Sequence, residues 1–498
     1  MRKRKSLAAV LTMALLIQGA TANLAVNKTY AEEVRSESVT QMSTEKEVVN
    51  LTSFSRQSKR TEDFNDGWKF YLGENGKAET ENFDDSKWAG INLPHDYSIH
   101  QKFQKNMEAE SGYLDGGIGW YRKHFNLSPE MKDKEIRLDF DGVYMDATVW
   151  VNGKLLGSHP YGYTPFSFNL TKYLKFDGTD NVIAVKVNHK TPSSRWYSGS
   201  GIYRDVKLQL MNKVHVGLNG VKVETPELAA NQKAVAVKIK TKIVNSLSEA
   251  ENVRIRTKIF KKGREEKPVI GETVSEITSI NAGETSNIDL SLTANSPELW
   301  DTEHPNLYTV RVEVLRGDEV VDTYDTDYGF RWFTADKNTG TYLNGKPVKL
   351  KGVCMHHDQG ALGAAAYKRA VERQVEILQN MGCNSIRVTH NPASQALIDI
   401  CNEKGMLLIE EIFDGWMYPK NGNSYDYARW FNQKIADDNK IVGGSTDMTW
   451  AEFDIKSAIA RGQNSPAIVM WSLGNEIQEG AGGSGYNKKA KDLIRWGR

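Results

Sequence analysis

The ten residues at positions 467–476, AIVMWSLGNE, decide the fold class of the C-terminal part of the chain. The unbroken apolar run from Ala467 to Trp471 is typical of a strand buried on both faces, as in a parallel sheet. The same stretch ends in Asn475 and Glu476, although a carboxylate is costly to bury. Strands that finish in polar residues are typical of (β/α) barrels, whose active sites lie at the C-terminal strand ends.

Residues 333–498 alternate strictly between strand and helix patterns. Strands are predicted within 340–358, 383–390, 406–413 and 467–476, and helices within 365–382, 393–405 and 446–464, with a fourth opening at 487. Val371, Val375, Leu378 and Met381 mark the buried face of the first helix, and Ser445 or Thr446 is the candidate N-cap of the third. This alternation predicts a parallel sheet covered by helices. Four strands and three complete helices make the first half of a (β/α)8 TIM barrel.

Two all-β blocks precede the barrel pattern. Residues 61–213 contain short alternating runs, and Asn152-Gly153 is a strong hairpin-turn signal between two of them. A jelly-roll-like β-sandwich fits this block. Residues 214–332 hold seven or so predicted strands in about 110 residues, a spacing typical of an immunoglobulin-like β-sandwich.

The first 60 residues differ from the rest of the chain. Residues 1–31 combine a basic start, a short apolar core and small-residue cleavage options, which predicts a secretory signal peptide and a secreted or cell-surface protein. Residues 32–60 are polar without apolar periodicity, which predicts a linker. No later apolar run is long enough to span a membrane.

Charge and cysteine content exclude several classes of function. The net charge of +1 gives no electrostatic reason to expect nucleic acid or an anionic membrane as partner. Cys354, Cys383 and Cys401 are odd in number and lack C-x-x-C spacing, so we expect buried thiols rather than disulfides or a zinc site.

Polar side chains follow each of the four predicted barrel strands. Carboxylates for acid/base work, amides and histidines for hydroxyls, and tryptophans for a sugar face are what glycoside hydrolysis requires. The sequence has neither a Gly-rich phosphate loop at a strand–helix junction nor an H-E-x-x-H motif. The set comprises His356, His357 and Asp358; Arg387 and His390; Glu410, Glu411 and Asp414; and Asn475 and Glu476.

Glu476 is the candidate general acid/base of this set. We expect its carboxyl group at the mouth of a partly apolar pocket beside Trp471. Desolvation there would let the group keep a proton near neutral pH.

From about residue 61 to 498 the sequence resembles glycoside hydrolase family 2, the family of β-galactosidases, β-glucuronidases and β-mannosidases. NSPAIVMWSLGNE (464–476) resembles its acid/base signature, and NSIRVTHNP (384–392) resembles its second signature. YLNGKPVKLKGVCMHHD (342–358) is similar to the start of the family's barrel. WYRKHF (120–125), VWVNG (149–153) and SGSGIYRDV (198–206) are similar to its sugar-binding sandwich. The family's domain order matches the order predicted above.

The resemblance implies a role for each candidate site residue. Glu476 is the general acid/base, Asn475 bonds the sugar 2-hydroxyl, His356 and His390 line the sugar subsite, Arg387 holds the carboxylate end of the site, Glu411 and Asp414 contact or orient the substrate, and Trp416 stacks on it. Arg195 lies before a sandwich loop that in the family reaches toward the barrel mouth. It either contacts sugar or forms a loop salt bridge.

Within the family, GVCMHHDQGALGAAA (352–366), EEIFDGW (410–416) and LPHDYSI (93–99) are most similar to secreted bacterial β-galactosidases. This implies a retaining exo-β-galactosidase that acts on terminal β-D-galactosyl residues of oligosaccharides or glycans. A β-glucuronidase or β-mannosidase is the alternative within the family. No cofactor is expected and no metal site is carried over, while a requirement for a divalent cation stays open.

A retaining glycosidase needs a second carboxylate about 5 Å from the first as its nucleophile. The family carries that Glu on its seventh barrel strand, whereas the sequence ends after the fourth. We therefore expect this sequence to be the N-terminal part of a longer enzyme, with the nucleophile beyond residue 498. The alternative from a different class is a truncated, non-catalytic protein that binds galactosides.

Overall fold

The computed structural model describes residues 52–55, 58–264, 266–480 and 484–497. The predicted signal peptide at 1–31 and the predicted linker up to residue 51 lie outside these residues. The described residues belong to one compact unit. Within the described ranges, no helix combines the length and the apolar character needed to cross a membrane.

The first domain is a β-sandwich. Its strands are β1 (Thr52–Phe54), β2 (Thr61–Asp63), β3 (Trp68–Leu72), β4 (Ala89–Ile91), β5 (Gly117–Leu127), β6 (Lys134–Phe140), β7 (Ala147–Val151), β8 (Lys154–His159), β9 (Phe166–Asn169), β10 (Asp180–His189) and β11 (Val206–Asn212). A seven-stranded sheet has the order β4-β3-β5-β10-β7-β8 with β1 on β5, and it faces a four-stranded sheet, β2-β11-β6-β9. The predicted Asn152-Gly153 turn joins β7 to β8, and both residues have positive φ, 48° and 74°, as a type I′ turn requires.

Strand β1 corrects the predicted linker at residues 32–60. Thr52–Phe54 pairs in parallel with the end of β5, and Phe54 is buried against Phe64 and Phe125. Arg60 forms an ion pair with Asp322 at 2.9 Å. A three-residue strand is too short to show periodicity, so the polar composition around it hid one buried aromatic ring.

The second domain is the predicted immunoglobulin-like sandwich. Its strands are β12 (Val214–Glu224), β13 (Ala234–Asn245), β14 (Glu251–Lys261), β15 (Val269–Val274), β16 (Thr278–Ile280), β17 (Thr285–Asn295), β18 (Tyr308–Arg316) and β19 (Glu319–Tyr328). The sheets are β12-β13-β17 and β15-β14-β18-β19, with β16 on β14. Buried residues alternate with more exposed ones along β13, because successive side chains of a strand point to opposite faces.

The third domain contains the predicted parallel sheet. A small antiparallel sheet, β20 (Phe333–Asp336), β21 (Gly340–Leu343) and β22 (Lys346–Pro347), leads into β23 (Gly352–Met355), β24 (Ser385–Val388), β25 (Leu407–Glu411) and β26 (Ile468–Ser472). The last four strands are parallel neighbours in chain order. The helices are α1 (Lys368–Asn380), α2 (Gln395–Lys404), α3 (Trp450–Gly462) and α4 (Ser484–Trp496). Short 3-10 helices lie at Ser98–His100, Pro129–Asp133, Thr171–Tyr173, Gly360–Leu362, Lys420–Gly422, Tyr427–Arg429 and Gln478–Gly480.

Two details of the helices differ from expectation. Val371 and Val375 of α1 are buried as predicted, but Met381 is 72% exposed, because α1 ends at Asn380 and Met381 is its C-cap. The predicted N-caps of α3 at 445–446 are wrong. Thr449 caps α3 and its side chain accepts a hydrogen bond from the Glu452 amide at 3.3 Å. The T-x-x-E spacing of a capping box was the signal that favoured this residue.

The sandwich shares one apolar core with the segment after β25 and with α3 and α4, while β24 to β26 pack in a separate core with α1 and α2. The Tyr161 ring lies 4.2 Å from the Tyr427 ring, measured between centroids. The Tyr161 hydroxyl also contacts the Ile412 carbonyl (2.6 Å) and the Asn391 side-chain oxygen (2.7 Å). This shared core holds the sandwich loops against the carboxyl ends of the parallel strands.

Candidate active site

The carboxyl ends of β23 to β26 lie along one edge of the parallel sheet. Met355 pairs with Val388, and Glu411 pairs with Ser472, so the residues that follow these strands meet as predicted. The predicted set at this edge includes His356, Arg387, His390, Glu411, Asp414, Asn475 and Glu476.

Glu411 is the buried centre of one half of the site. One carboxylate oxygen lies 2.6 Å from His390 Nδ1, and the other accepts from Arg387 Nη2 and Ser472 Oγ, each at 2.7 Å. Burial alone would raise the pKa of Glu411, but hydrogen bonds from His390, Ser472 and Arg387 lower it below its usual value. The Glu411 side chain is fully buried, so of the two predicted roles, contacting or orienting the substrate, the contact has no exposed surface. Glu411 instead holds His390 and Arg387.

Asp414 is the centre of the other half. It accepts a two-pronged ion pair from Arg195, with Nη2 at 2.6 Å and Nε at 3.1 Å, and a hydrogen bond from Asn475 Nδ2 at 3.1 Å. Burial opposes its ionisation, but these bonds and the charge of Lys420 hold the pKa of Asp414 below its usual value. The side-chain amide of Asn475 is held at both ends, because its nitrogen donates to Asp414 and its oxygen accepts from Arg387 at 3.1 Å.

Lys420 completes this half of the site and was not predicted. Its ammonium donates to the Asp414 carbonyl at 2.6 Å, to Asp414 Oδ1 at 3.2 Å and to the Asn475 carbonyl. Lys420 belongs to the polar insertion at 417–445, where a single lysine among many charged residues carries no sequence signal of burial.

Glu476 projects from a tight turn after β26. Its backbone φ is +44°, in the left-handed region that non-glycine residues seldom adopt. Its carboxylate is 70% exposed and lies 3.0 Å from Arg195 Nη1. The expected apolar pocket beside Trp471 is wrong, since the Trp471 ring packs instead over Gly462 of α3.

An aromatic surface lies beside these charges. The Trp196 ring is 4.4 Å from the His356 ring and 5.7 Å from the His390 ring, measured between centroids. Trp196 is 37% exposed. Burial, reinforced by the neighbouring His390, lowers the pKa of His356, so its imidazole is neutral at pH 7.

Trp416 does not join that surface, which corrects its predicted stacking role. The side chain is 2% exposed, and its indole N–H donates to the Leu473 carbonyl at 2.9 Å. A ring without an open face has no surface to offer a sugar. Trp416 lies under the Gly474 backbone and shapes the turn that carries Glu476.

Other polar strand-end residues also point away from the site. His357 packs against the Tyr163 ring at 4.9 Å, and burial lowers its pKa well below the usual value. Glu410 is buried and accepts from the Ala393 amide at 2.9 Å, and burial raises its pKa. The reason is the alternation of a strand, which places Glu410 and Glu411 on opposite faces.

The sandwich domain supplies Arg195 and Trp196 through a loop braced on both sides. Ser193 lies 2.8 Å from His189 Nε2 and 3.0 Å from the Tyr144 hydroxyl. On the other side, the Tyr197 hydroxyl donates to Asp96 at 2.6 Å. Of the two readings of Arg195, the ion pair is present, with Asp414 and Glu476 as partners. In the described ranges, no group of three or more His, Cys, Asp and Glu side chains is arranged to hold a metal ion.

Models of one protein family match all three domains. Residues 63–212 match "Glycosyl hydrolases family 2, sugar binding domain", residues 219–331 match "Glycosyl hydrolases family 2", and residues 335–498 match "Glycosyl hydrolases family 2, TIM barrel domain". These matches confirm the predicted fold classes in their predicted order.

Proteins from several Bacteroides species are similar to this chain. Beta-galactosidase BoGH2A of Bacteroides ovatus is 42% identical over 84% of this chain and 46% of its own length. A glycosyl hydrolase family 2 member from Bacteroides cellulosilyticus has a similar structure, with a TM-score of 0.81, 35% identity and coverage of 88% of this chain and 54% of that one. Bacteroides uniformis beta-glucuronidase follows with a TM-score of 0.70, 30% identity and coverage of 87% and 50%. The chain thus spans about half the length of these relatives.

Proposed function

The chain belongs to glycosyl hydrolase family 2, and on that premise we propose that it carries the acid/base half of a retaining exo-β-galactosidase. In this proposal Glu476 protonates the departing glycosidic oxygen and then takes a proton from the attacking water. The predicted signal peptide supports a secreted or cell-surface enzyme, which is part of the same proposal.

The observation that carries the proposal is the geometry of Glu476. Its carboxylate is exposed at the edge where four strands end, while Glu411 and Asp414 nearby have every oxygen bonded. A general acid must reach the substrate oxygen directly. Among these three carboxylates, Glu476 alone is open enough to do so.

The neighbouring groups suit a sugar ring. Trp196 offers an open aromatic face of the kind on which the apolar face of a sugar stacks, with His356 and His390 beside it. The Asn475 amide gives one N–H to Asp414, and its second N–H is available to a 2-hydroxyl. A bond of that kind strengthens in an oxocarbenium-like transition state.

Neither Glu411 nor Asp414 is proposed as the nucleophile of the retaining mechanism. Both oxygens of Glu411 and both of Asp414 accept hydrogen bonds from cations or polar side chains. The Glu411 side chain is also fully buried, and Asp414 is held by Arg195 and Lys420, so neither carboxylate is free to approach a sugar. Because the chain spans about half the length of its relatives, the kinetic tests need a preparation that supplies a second carboxylate.

A neutral galactoside fits the charge of the site better than a uronide. Arg387 is paired with Glu411, and both Arg195 and Lys420 are paired with Asp414. Recognition of a sugar carboxylate requires a cation that is not already neutralised. Arg387, Arg195 and Lys420 are all paired, so none of these three cations is available to a uronide. The β-glucuronidase alternative is supported by the similarity to the Bacteroides uniformis protein, which is named a beta-glucuronidase.

The test of the general acid is Glu476→Gln. For an aryl β-galactoside with a poor leaving group, kcat/KM is expected to fall by about 10²–10⁴-fold, the usual contribution of acid/base catalysis. Glu479→Gln is the matched control, because Glu479 accepts from the Tyr418 amide at 3.1 Å, which a Gln oxygen also does. Unchanged kinetics in Glu476→Gln would rule out the assignment.

The sugar is tested with aryl β-galactoside and aryl β-glucuronide at equal concentration. The proposal predicts a larger kcat/KM for the galactoside by at least about tenfold, because each unpaired charge buried on binding costs more than 1.4 kcal/mol. Preference for the glucuronide would move the assignment to β-glucuronidase. Binding of galactosides without turnover, in a protein that contains both carboxylates, would instead favour a non-catalytic role.

A further inference from the structure

We propose that Lys420 is a positioning residue that holds the turn carrying Glu476 in its working geometry. This inference rests on the proposed function, because it assumes that Glu476 transfers the proton. It adds a residue from the 417–445 insertion to a site otherwise built from strand ends and one sandwich loop.

The surroundings of the ammonium show what it holds. The Lys420 side chain is 2% exposed, and its Nζ contacts three oxygens: the Asp414 carbonyl, the Asp414 carboxylate and the Asn475 carbonyl. A lysine ammonium has three donors, so each of its N–H bonds has a partner. Two of those partners are backbone carbonyls of the segments that follow β25 and β26.

The Asn475 carbonyl is the decisive partner. It belongs to the peptide unit whose other end is the Glu476 nitrogen, and a peptide unit is planar. Holding that oxygen therefore orients the plane from which the φ of Glu476 is measured. This φ is +44°, and such a conformation persists only where its surroundings enforce it. The backbone N–H of Asn475 donates to the Phe413 carbonyl at 3.1 Å, and this bond restrains the preceding peptide unit.

Charge explains why a lysine serves here. Asp414 receives Arg195 on one side and Lys420 on the other, and Arg195 continues to Glu476. Lys420, Asp414 and Arg195 thus form a chain of alternating charges that ends at Glu476. Without the Lys420 charge, the partly buried carboxylate of Asp414 has one cation fewer. Its ion pair with Arg195 is then expected to tighten.

The position of Lys420 depends on contacts of its insertion with the sandwich. The Tyr425 amide donates to the Pro192 carbonyl at 3.0 Å, and the Lys440 amide donates to the Leu156 carbonyl at 2.7 Å. Lys420 thereby links the placement of the proton donor to the docking of the sandwich domain.

The experiment compares aryl β-galactosides of increasing leaving-group ability in the wild type, Lys420→Met and Glu476→Gln. With a phenyl leaving group, kcat/KM of Lys420→Met is expected to fall by about 10²-fold, the cost of misplacing a catalytic group by about 1 Å. With a dinitrophenyl leaving group, which needs little protonation, the loss is expected to be less than about tenfold. Lys434→Met, an exposed lysine of the same insertion, is the matched control.

A double variant separates positioning from general damage. If Lys420 acts through Glu476, adding Lys420→Met to Glu476→Gln lowers kcat/KM by less than about threefold more. Additive losses, or a loss independent of the leaving group, would overturn the inference. Lys420→Gln, which keeps two donors without the charge, is measured in parallel. If Lys420→Met does not fold, Lys420→Gln takes its place, and a wild-type leaving-group dependence in Lys420→Gln would also overturn the inference.

Failure of the proposed function looks different. In that case the wild type cleaves no aryl β-galactoside, or Glu476→Gln keeps wild-type rates. Suppose instead that Glu476→Gln has a strong effect while Lys420→Met keeps the wild-type leaving-group dependence. That result would refute the role of Lys420 and leave the proposed function standing.

Discussion

Two tryptophans near the strand ends have opposite surroundings. Trp196 is 37% exposed beside His356, whereas Trp416 is 2% exposed beneath the turn that carries Glu476. Both residues follow charged or small polar neighbours in the sequence, so local composition does not tell them apart. Their contributions to binding and to stability should separate accordingly.

Trp196→Ala is expected to raise KM for an aryl β-galactoside by about tenfold, since an aromatic contact of this kind contributes about 0.5–1.5 kcal/mol beyond burial. The melting temperature should change little because the ring is partly exposed. Trp416→Phe should do the reverse, lowering the melting temperature through the lost bond to the Leu473 carbonyl. Steady-state kinetics and thermal unfolding of both variants check this. Equal effects of the two on KM would contradict it.

At the scale of elements, β5 is the strand around which the larger sheet is assembled. It pairs with β10 on one side and with β3 on the other, and β1 joins its end. His124 in β5 lies 2.6 Å from Asp180 of β10 and 2.8 Å from Asp85 in the loop before β4. Burial opposes protonation of His124, but these hydrogen bonds raise its pKa to about 9.

Stability should therefore depend on pH through His124. A folded-state pKa above the unfolded value of about 6.5 means that the stabilisation is fully present below pH 6.5 and is lost as pH rises through about 9. Relative to the wild type, His124→Gln should lose on the order of 2–3 kcal/mol of unfolding free energy at pH 6 and much less at pH 9.5. Urea unfolding at both pH values tests this. His304→Gln, a change at an exposed histidine, is the control, and a pH-independent loss in His124→Gln would refute the assignment.

At the scale of the whole molecule, Arg204 joins the sandwich to the barrel domain. Its guanidinium is fully buried and donates to the Tyr163 carbonyl (2.8 Å) of the sandwich and to the Pro392 (2.7 Å) and Ala393 (2.9 Å) carbonyls. The last two follow β24, so this contact places the sandwich loops over the strand ends. Arg204 lies in the SGSGIYRDV motif, which the sequence assigned only to the sugar-binding domain.

Arg204→Met is expected to lower the unfolding free energy by about 3–5 kcal/mol, because it leaves three buried carbonyls without their donor. Arg204→Lys keeps the charge but lacks the planar fork, so its loss should be smaller. Differential scanning calorimetry measures both variants, and a separate sandwich transition should appear in Arg204→Met. A change below about 0.5 kcal/mol would show that the domains dock without this residue.

Local patterns predicted much of this molecule. The Asn152-Gly153 turn, the apolar run from Ala467 to Trp471 and the strand–helix alternation of residues 333–498 each depend on neighbours in the sequence, and each was predicted. The N-cap of α3 was missed although Thr449 and Glu452 carried a local signal. Strand β1 was missed because three residues are too few for a period to appear.

The sequence by itself determined the three domains, their order and the strand ends at which Glu476, Asn475, Glu411 and His390 meet, because hydrophobic periodicity and strand–helix alternation are visible in neighbouring residues. Only the tertiary structure decided which polar groups face the site. It buried Trp416 and Glu410, opened Trp196, and brought Arg195 and Lys420 from distant segments onto Asp414. The physical reason is that burial and charge pairing depend on which surfaces meet in space, and residues 219 positions apart, such as Arg195 and Asp414, share no pattern along the chain.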